Sequence, residues 1–486
     1  MGHTHYVGDK SHGPSESHFF TKTNPTPFPT SPRSHFLDPS RLRYLEIFLL
    51  FVLDIISIAL AFIAIRAVRF SPFDWSFQIE HTLHILCPIS TILFVNYIFD
   101  FYRTDMARSL WRIPAKMIFT STISFVVISF QIYLFFGLEN FMGDYFGRGI
   151  LLGVVFGFSF FASIHRMILH KVFEKVREKR SYLVFANERE LNVITQENER
   201  HLGVNRLNLC IAGDLPDLPF RMNSNKYAGL LVGMDVLQDP NSVKTLMSLR
   251  LHGVKIFTLH DLFEKFWFKI PISNIKDQWF VVESGFSLLH NPVGQKIKRV
   301  LDLIFSTGLL LFSFPLIVLI SLILKLTGGN APVIYRQIRM GERGKNFVLY
   351  KFRSMFPNAE SEGAVWASKD DPRATKFGKL LRKTRLDELP QLWNVLKGEM
   401  SFIGPRPERP EFYSELGENI PYYNLRHLVR PGITGWAQVC YPYGACIEDA
   451  LEKLQYDFFY IKNYSLILDV KIIIKTMKIV LFGRGR

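Results

Sequence analysis

Long apolar stretches follow a polar start of the chain. They lie at residues 47–65, 83–99, 117–136 and 149–164. Each approaches the roughly 20 residues that a helix needs to cross a bilayer, although the second and fourth are short and their ends are poorly defined. Residues 1–40, in contrast, are rich in Ser, Thr, Pro and His and contain no apolar run. The pattern predicts a disordered cytosolic tail over residues 1–40 and a four-helix transmembrane domain over residues 41–170.

Basic residues accumulate on alternate sides of these stretches. Before the first stretch lie Arg33, Arg41 and Arg43, and between the second and third lie Arg103, Arg108, Arg112 and Lys116. After the fourth stretch come Arg166, Lys171, Lys175, Arg177, Lys179 and Arg180. Because cytoplasmic loops carry the excess of Lys and Arg, the N-terminus and the chain after residue 165 are predicted to be cytoplasmic. Asp54 lies inside the first stretch, where a carboxylate either has an intramembrane function or is shielded within the helix bundle.

Residues 181–290 alternate short β-like runs with polar segments that are long enough for helices. The runs lie at residues 182–186, 207–212, 229–232 and 254–259. This alternation predicts a Rossmann-like α/β domain. A dinucleotide site would need glycines directly after the first strand, whereas Asn187, Glu188 and Arg189 follow Ala186. We therefore expect no bound dinucleotide, which leaves regulation or dimerisation as the role of this domain.

A fifth apolar stretch, residues 303–324, has basic flanks on both sides. Residues 325–353 contain seven Lys or Arg residues and one acid, Glu342, and a full crossing would place them outside the cytoplasm. Pro315 removes a backbone hydrogen bond in mid-stretch, and the Ser313 hydroxyl can satisfy the freed groups. We predict a re-entrant helix over residues 300–326 that bends at Ser313 and Pro315. An ordinary proline-kinked span is the alternative.

The final segment, residues 465–482, combines basic and apolar positions at helical spacing. Three lysines lie opposite five apolar residues: Lys471, Lys475 and Lys478 against Val470, Ile473, Ile474, Met477 and Leu481. A basic amphipathic helix of this kind lies in the plane of the lipid headgroups. A core helix with a solvated face is the alternative.

Composition narrows the class of protein. Of the 486 residues 48% are hydrophobic and 21% charged, a balance that excludes intrinsic disorder. The net charge of +15 predicts an anionic partner, whether lipid headgroups, nucleotide phosphates or nucleic acid. No nucleic-acid-binding module is recognisable, so we expect no nucleic-acid partner. The four cysteines are scattered and include no CxxC pair, which argues against a disulfide framework and a zinc site.

Asp387 and Glu388 stand next to each other at the start of a predicted helix. Pro390 is tolerated only in the first turn of that helix, and Lys397 with Gly398 marks its end. Carboxylates are stabilised at a helix N-terminus, so capping alone is one explanation of the pair. Catalysis is the other, since one carboxylate can attack phosphorus while its neighbour holds a Mg²⁺ ion.

Cationic residues surround this pair along the chain. The candidates for binding a phosphate-bearing substrate are Lys351, Arg353, Arg382, Arg406 and Arg430. Guanidinium groups form bidentate contacts with phosphate oxygens. Adjacent carboxylates among several arginines suit Mg²⁺ and a diphosphate substrate.

The candidate residues belong to sequence motifs that resemble those of a known family. The motifs begin with Lys298, Arg299 and Asp302 and continue at residues 335–355, 386–408, 430–439 and 456–463. Over residues 295–486 the chain is similar to the bacterial sugar transferase family, the monotopic polyprenyl-phosphate phosphoglycosyl transferases. The preceding spans and α/β domain look like the large members of that family, which start exopolysaccharide, O-antigen or capsule assembly.

The resemblance implies transfer of a sugar-1-phosphate from a UDP-sugar to undecaprenyl phosphate, with release of UMP. Asp387 would be the nucleophile that forms a covalent phosphosugar intermediate, and Glu388 would hold Mg²⁺ together with Asp387. Ser313 and Pro315 fall where the family breaks its re-entrant helix. Residues 440–444 depart from the Asn-Gly-Arg-like segment of many members and look like the subgroup associated with exosortase-type exopolysaccharide loci, which leaves the sugar open.

The expected architecture is a membrane α-helical bundle, an α/β Rossmann-like domain over residues 181–290 and a mixed α/β catalytic domain over residues 295–486 with a re-entrant membrane helix. The expected location is the bacterial inner membrane, with the catalytic domain on the cytoplasmic face of the lipid bilayer. A homodimer is a candidate assembly. A non-catalytic membrane scaffold of polysaccharide assembly is the alternative function, and it would need a broken carboxylate pair.

Overall fold

The computed structural model describes most of the chain after the polar start. It covers residues 39–69, 82–99, 101–102, 112–135, 148–178, 181–201, 207–213, 216, 218–222, 227–327, 331–357, 359, 371–441 and 446–481. The tail predicted over residues 1–40 lies outside the described residues except for its last two positions, where the first helix begins.

Apolar helices form the first part of the described chain. They are α1 (Pro39–Arg69), α2 (Thr82–Ile98), α3 (Arg112–Phe135) and α4 (Arg148–Glu178). By length and composition α1, α3 and α4 could cross a membrane, whereas α2 has 17 residues and contains Pro88. A later helix, Pro292–Thr327, brings the candidate membrane spans among the described residues to four. The prediction of several apolar membrane helices is confirmed, with α2 shorter than a full span.

Asp54 is fully buried where α1 packs against α4. The Arg166 guanidinium on α4 donates to the Asp54 carboxylate, with Nη2 2.6 Å from Oδ2. The Tyr102 hydroxyl donates to the same oxygen at 2.6 Å, and His165 Nε2 lies 3.2 Å from Oδ1. A buried carboxylate with these partners is neutralised within the bundle, which favours the shielded alternative.

A parallel sheet follows the membrane helices. Its strands are β1 (Ser181–Phe185), β2 (Asn208–Ile211), β3 (Tyr227–Val232) and β4 (Ile256–Thr258), in the order β2-β1-β3-β4. The accompanying helices are α5 (Glu188–Arg200), α6 (Leu218–Met222), α7 (Pro240–Leu251) and α8 (Leu259–Leu262). All three strand pairs are parallel, and Leu183 of β1 lies opposite both Cys210 and Leu230.

The sheet is buried on both faces. Tyr182 and Val184 point into one apolar cluster and Leu183 into another, because successive side chains of a strand alternate between faces. Parallel sheets are usually covered in this way, which explains why their strands are continuous apolar runs. Each of the four predicted strands is present at its expected place.

The segment that precedes residue 290 packs with the C-terminal part of the protein. It contains α9 (Asp277–Val282) and α10 (Ser287–His290). Ile270, Ile272 and Leu288 belong to one buried cluster with Trp436 and Phe458. The change in packing therefore lies near residue 270, about 20 residues before the boundary expected at residues 290–295. Apolar positions show that a segment is buried, but not which core receives it.

Helix α11 (Pro292–Thr327) is 36 residues long and covers the predicted stretch 300–326. Near its start Asp302 accepts hydrogen bonds from the Ser401 hydroxyl at 2.7 Å and the Phe402 amide at 3.1 Å. Near its end Arg353 Nη2 donates to the Leu324 carbonyl at 3.0 Å. Both ends of α11 thus contact the C-terminal part.

The middle of α11 exposes large apolar side chains to its surroundings. They include Leu311, Phe312, Phe314, Val318 and Leu319. Pro315 lies among them, and the Ser313 hydroxyl donates to the Leu309 carbonyl at 2.6 Å. An exposed apolar surface of this size requires an apolar environment such as lipid.

The C-terminal part mixes helices with short strands. The antiparallel hairpin β5 (Ile334–Met340) and β6 (Asn346–Phe352) is followed by α12 (Lys376–Thr384), α13 (Gln391–Lys397), β7 (Ser401–Ile403), α14 (Pro410–Asn419), β8 (Gly432–Thr434), α15 (Trp436–Cys440), α16 (Ile447–Lys462) and α17 (Leu466–Leu481). Strands β7 and β8 pair in parallel. Beside them the backbones of Gly404 and Gly432 approach so closely that a Cβ on Gly432 would lie 2.0 Å from the Gly404 nitrogen.

Short turns connect these elements. The 3₁₀ turns are Val236–Gln238, Ile272–Asn274, Glu342–Gly344, Leu386–Glu388 and Tyr423–Leu428, and a π-helical turn spans Phe263–Trp267.

Helix α17 is present as predicted, but its lysines do not all face away from the protein. Lys475 Nζ lies 4.4 Å and Lys471 Nζ 5.0 Å from the ring centroid of Trp436. Apolar side chains of the same helix are exposed instead, Val470 at 52% and Leu481 at 62%. Exposed apolar side chains fit the predicted helix in the plane of the lipid headgroups. The alternative of a core helix with a solvated basic face does not fit Lys471 and Lys475, because the buried indole attracts both ammonium groups.

A buried ion cluster joins the parallel-sheet part to the C-terminal part. Lys269 is fully buried, and its ammonium lies 2.7 Å from Oε1 of Glu197 on α5 and donates to Glu452 on α16. A second junction pairs Lys462 at the end of α16 with Glu264 at 2.7 Å and Glu283 at 2.9 Å. Helix α16 is thus held at both ends by residues that precede α11.

We expect Lys269→Met to lower the free energy of unfolding by about 3 kcal/mol or more, because two carboxylates stay buried without their shared cation. Lys265→Met is the matched control, since Lys265 pairs with Asp261 at 3.1 Å in a largely exposed position. That change should cost less than about 1 kcal/mol. Thermal unfolding of both variants in detergent tests the difference, and equal melting temperatures would show that the buried cluster does not stabilise the junction.

Candidate active site

A cavity of about 310 Å³ lies in the C-terminal part. It is bordered by the β5–β6 hairpin, the chain between α12 and α13, the loop after β7, and helices α15 and α16. Six of the seven predicted catalytic and substrate-binding residues line it: Lys351, Arg353, Arg382, Asp387, Glu388 and Arg406. The structure therefore brings together side chains that are up to 55 positions apart in the sequence.

Arg430 is the predicted substrate-binding residue that does not line the cavity. Its Nε donates to Glu342 Oε2 at 3.1 Å, and both side chains are more than one-third exposed. The role of Arg430 in substrate binding therefore stays a prediction that the cavity lining does not support.

The backbone turns sharply before the carboxylate pair. Arg385 adopts a left-handed conformation with a φ of 55° at the end of α12. The 3₁₀ turn Leu386–Glu388 follows, and Leu386 packs into the cluster that contains Phe352 and Leu381. Left-handed backbone is uncommon for a residue with a side chain and concentrates at functional sites. Here it directs Asp387 and Glu388 toward the cavity.

The pair does not cap a helix. Helix α13 begins only at Gln391, its N-cap position is Pro390, and neither this helix nor the 3₁₀ turn has a side-chain cap hydrogen bond. Its end at Gly398, with a φ of 89°, is where the sequence predicted it. The geometry therefore argues against capping as the sole explanation of the two acids.

Glu388 is held by guanidinium groups. Arg406 Nη2 donates to its Oε1 at 2.9 Å, and Arg385 Nη1 lies 3.9 Å from its Oε2. Asp387 is equally buried, each of the two residues being 9% exposed, yet among the described residues it has no hydrogen bond or ion pair. Burial, together with the adjacent Glu388 carboxylate, raises the pKa of Asp387 to about 6. The two neighbouring acids thus have different environments.

Lys351 on β6 supplies a cation opposite the pair. Its Nζ lies 4.9 Å from the ring centroid of Tyr335. Burial, reinforced by the Arg339 and Arg406 guanidiniums, lowers the pKa of Lys351 to about 8, while Asp387 and Glu388 oppose the shift. The ammonium group therefore remains mostly protonated at neutral pH and is suited to a phosphate oxygen.

Arg353 and Arg382 have structural partners as well as a place on the cavity wall. Arg353 donates to the Pro332 carbonyl at 3.1 Å, in addition to its bond at the end of α11. Arg382 Nη1 lies 4.0 Å from Oδ2 of Asp371, which also pairs with Arg373 at 2.7 Å. Arg353 thus links the membrane helix to the cavity.

The sequence-based search missed Gln438, which is neutral and was therefore not considered. Its Oε1 accepts from Arg385 Nη1 at 3.1 Å and from Arg406 Nη1 at 3.2 Å. The signal was present, since Gln438 belongs to the motif at residues 430–439.

A buried charge network in the wall of the cavity was also missed. Arg426 donates to Asp457 at 2.8 Å, to Glu408 at 3.3 Å and to the Arg406 carbonyl at 3.1 Å. Burial raises the pKa of Asp457 to about 6, although Arg426 opposes the shift. Because Arg426 bonds the backbone of Arg406, the network fixes the loop that carries the partner of Glu388.

The carboxylates fit a magnesium ion that a substrate helps to bind. Within the described residues no three His, Cys, Asp or Glu side chains lie close enough to form a complete metal site. Mg²⁺ commonly binds through one or two carboxylates and completes its coordination with water and substrate phosphates. Asp387 and Glu388 supply that kind of hard oxygen donor set next to cationic groups suited to phosphate.

Comparison with known proteins matches the same part of the chain. The family model described as bacterial sugar transferase matches residues 293–483. A UDP-N-acetylgalactosamine-undecaprenyl-phosphate N-acetylgalactosaminephosphotransferase of Aeromonas hydrophila is 46% identical over 199 residues, which cover 41% of this chain and 47% of the relative. A UDP-glucose:undecaprenyl-phosphate glucose-1-phosphate transferase of Escherichia coli K12 is 35% identical over 271 residues, 55% of this chain and 57% of the relative.

These matches span about half the length of both relatives. An uncharacterized sugar transferase of Bacillus subtilis is matched almost completely, with 39% identity over 193 residues that cover 39% of this chain and 89% of the relative. The family-model match, residues 293–483, includes the carboxylate pair, the arginines that surround it and all but the first residue of α11. On this evidence the chain belongs to the bacterial sugar transferase family.

Proposed function

We propose that the protein is a polyprenyl-phosphate phosphoglycosyl transferase, which transfers a sugar-1-phosphate from a UDP-sugar to undecaprenyl phosphate and releases UMP. The names of two relatives describe such transfers to undecaprenyl phosphate. The observation that carries the proposal is the asymmetry of the carboxylate pair. Glu388 is bound by Arg406, whereas Asp387 is buried beside it without a hydrogen bond or ion pair among the described residues.

Asp387 is the proposed nucleophile. Its ionised carboxylate attacks the phosphorus that bears the sugar, and the bond from that phosphorus to the bridging oxygen breaks. UMP leaves, and an aspartyl phosphosugar remains. An oxygen of undecaprenyl phosphate then attacks the same phosphorus, which regenerates the Asp387 carboxylate. With a pKa of about 6 the group is mostly ionised at neutral pH, while its desolvation makes it more basic than an exposed aspartate.

Other cavity residues bind and orient the phosphates. Lys351 and Arg382 line the same cavity as Asp387 and supply positive charge near it. Asp387 and Glu388 would hold Mg²⁺, which when bound neutralises diphosphate charge and stabilises the leaving phosphate. Arg406 restrains Glu388 through a hydrogen bond of 2.9 Å.

A re-entrant α11 explains how the cavity reaches a lipid-borne acceptor. Asp302 and Leu324, near the two ends of the helix, are both bonded to the C-terminal part. The apolar residues between these contacts would enter the lipid and return on the same side at Ser313 and Pro315. In this arrangement the cavity lies at the cytoplasmic face of the inner membrane.

The parallel-sheet part is proposed to be a Rossmann-like domain. Its strand order, with the first strand next to the third, is that of a doubly wound sheet. A dimerising or regulatory role stays a prediction. The alternative function, a non-catalytic scaffold, is disfavoured because the carboxylate pair and its arginines are intact.

We expect Asp387→Asn to lower transfer by at least about a thousandfold, because a neutral amide cannot attack phosphorus. With UDP-sugar and no lipid acceptor, mass spectrometry should find a phosphosugar adduct in the wild type and none in the variant. Glu388→Gln is the matched comparison, and part of its loss should be recovered at higher Mg²⁺ concentration. Near-normal turnover by Asp387→Asn would contradict the assignment of the nucleophile.

The same Asp387→Asn variant should melt at or above the temperature of the wild type. The raised pKa of Asp387 means that its ionised form destabilises the folded state at neutral pH, and the amide removes that charge. A large fall in melting temperature would show that Asp387 has a structural role, and the loss of activity would then need another explanation.

Topology provides a separate test of the re-entrant helix. Reporters fused after Arg180 and after Arg486 should both report the cytoplasm. Pro315→Leu should favour a straight helix and lower transfer, because the bend that returns the helix to the cytoplasmic side is lost. Reporters on opposite sides of the membrane would exclude the re-entrant arrangement.

A further inference from the structure

The amide of Gln438 lies between the two arginines that face Glu388. Gln438 is at the centre of α15 and is 8% exposed. Its single carbonyl oxygen receives N–H donors from both Arg385 and Arg406. Only the oxygen of a glutamine amide can accept, so these two donors determine the orientation of the group. The nitrogen must occupy the other position.

That nitrogen has no partner within the described part of the chain. Nε2 of Gln438 is buried, makes no hydrogen bond there and belongs to a side chain that lines the cavity. A buried donor left without an acceptor costs free energy, and such groups are rare in folded proteins. An unsatisfied donor that belongs to a cavity-lining side chain is typical of a site that a ligand completes.

The neighbouring charges indicate the chemistry of that ligand. The Arg385 and Arg406 guanidiniums bond the other end of the same amide, and Lys351 lines the same cavity. A hydrogen-bond acceptor bound next to Gln438 Nε2 would lie near these cationic groups, which favours a phosphoryl oxygen over a neutral acceptor. The Asp387 carboxylate lines the same cavity, so the reacting diphosphate must come close to it.

We propose that Gln438 binds the diphosphate of the nucleotide sugar through Nε2 and positions Arg385 and Arg406 on Glu388 through Oε1. The inference rests on the proposed transfer reaction. One end of the amide contacts the substrate, and the other end acts through the two arginines. The two roles can be separated, because different substitutions remove one atom or both.

Gln438→Glu keeps an oxygen acceptor between the arginines but replaces the donor with a second carboxylate oxygen. Gln438→Met has a similar volume and removes both functions. Thr434→Val is the matched control: Thr434 lies four residues earlier, outside the cavity, and its hydroxyl lies 2.7 Å from that of Thr476. It tests the general effect of losing a buried hydrogen bond in the same region.

The measurement is the steady-state rate of UMP release at saturating undecaprenyl phosphate, with UDP-sugar varied. In Gln438→Glu the KM for the UDP-sugar should rise roughly tenfold or more, with kcat changed only slightly, because the donor is lost while the arginines stay in place. In Gln438→Met the KM should rise and kcat should also fall about tenfold or more. Thr434→Val should retain the KM and kcat of the wild type.

A wild-type KM in Gln438→Glu would overturn the substrate contact, and a wild-type kcat in Gln438→Met would overturn the positioning role. A purely structural role predicts that kcat falls equally in both variants, in parallel with their melting temperatures. If Gln438→Met does not fold, Gln438→Glu alone still decides the substrate contact. Absence of UMP release by the wild type with every UDP-sugar would instead refute the proposed function, so the two failures are distinguishable.

Discussion

Repulsion between two adjacent carboxylates is the constraint on which the cavity depends. Asp387 and Glu388 are consecutive and equally buried, and both cannot be ionised there without compensation. The guanidinium groups of Arg406 and Arg385 provide the compensating positive charge for Glu388, while the pKa of Asp387 is raised. Two identical functional groups thus have different environments: Glu388 is bound by guanidinium groups, and Asp387 has a raised pKa.

Much of the C-terminal fold serves to hold the arginines in place. The left-handed backbone of Arg385 places its side chain beside Glu388. Arg426 donates to the backbone of the loop that carries Arg406, and its charge is balanced by Glu408 and Asp457. Since Asp457 lies on α16, a helix in the wall of the cavity also carries part of the charge network.

Helix α16 connects this network to the rest of the chain. Its residues Glu452 and Lys462 form buried pairs with Lys269 and with Glu264 and Glu283, all of which precede α11. These ion pairs therefore connect the parallel-sheet part to the wall of the cavity. Helix α11 is linked to the same cavity through Arg353, so both this apolar helix and the middle of the chain are connected to the site.

Local patterns in the sequence alone determined the apolar helices, the four parallel strands, the end of α13 at Gly398 and the motifs that supply the cavity. These features depend on hydrophobic periodicity and on the backbone preferences of Gly and Pro, which act over a few residues.

Only the tertiary structure decided that Glu388 is paired and Asp387 is not, that Arg430 lies outside the cavity, and that Lys471 and Lys475 contact Trp436. It also showed that Ile270 and Leu288 belong to the C-terminal core and that Gln438 bridges two arginines. Each of these outcomes depends on contacts between residues that are distant in sequence, because the composition of a motif specifies which donors and acceptors are present but not which of them meet.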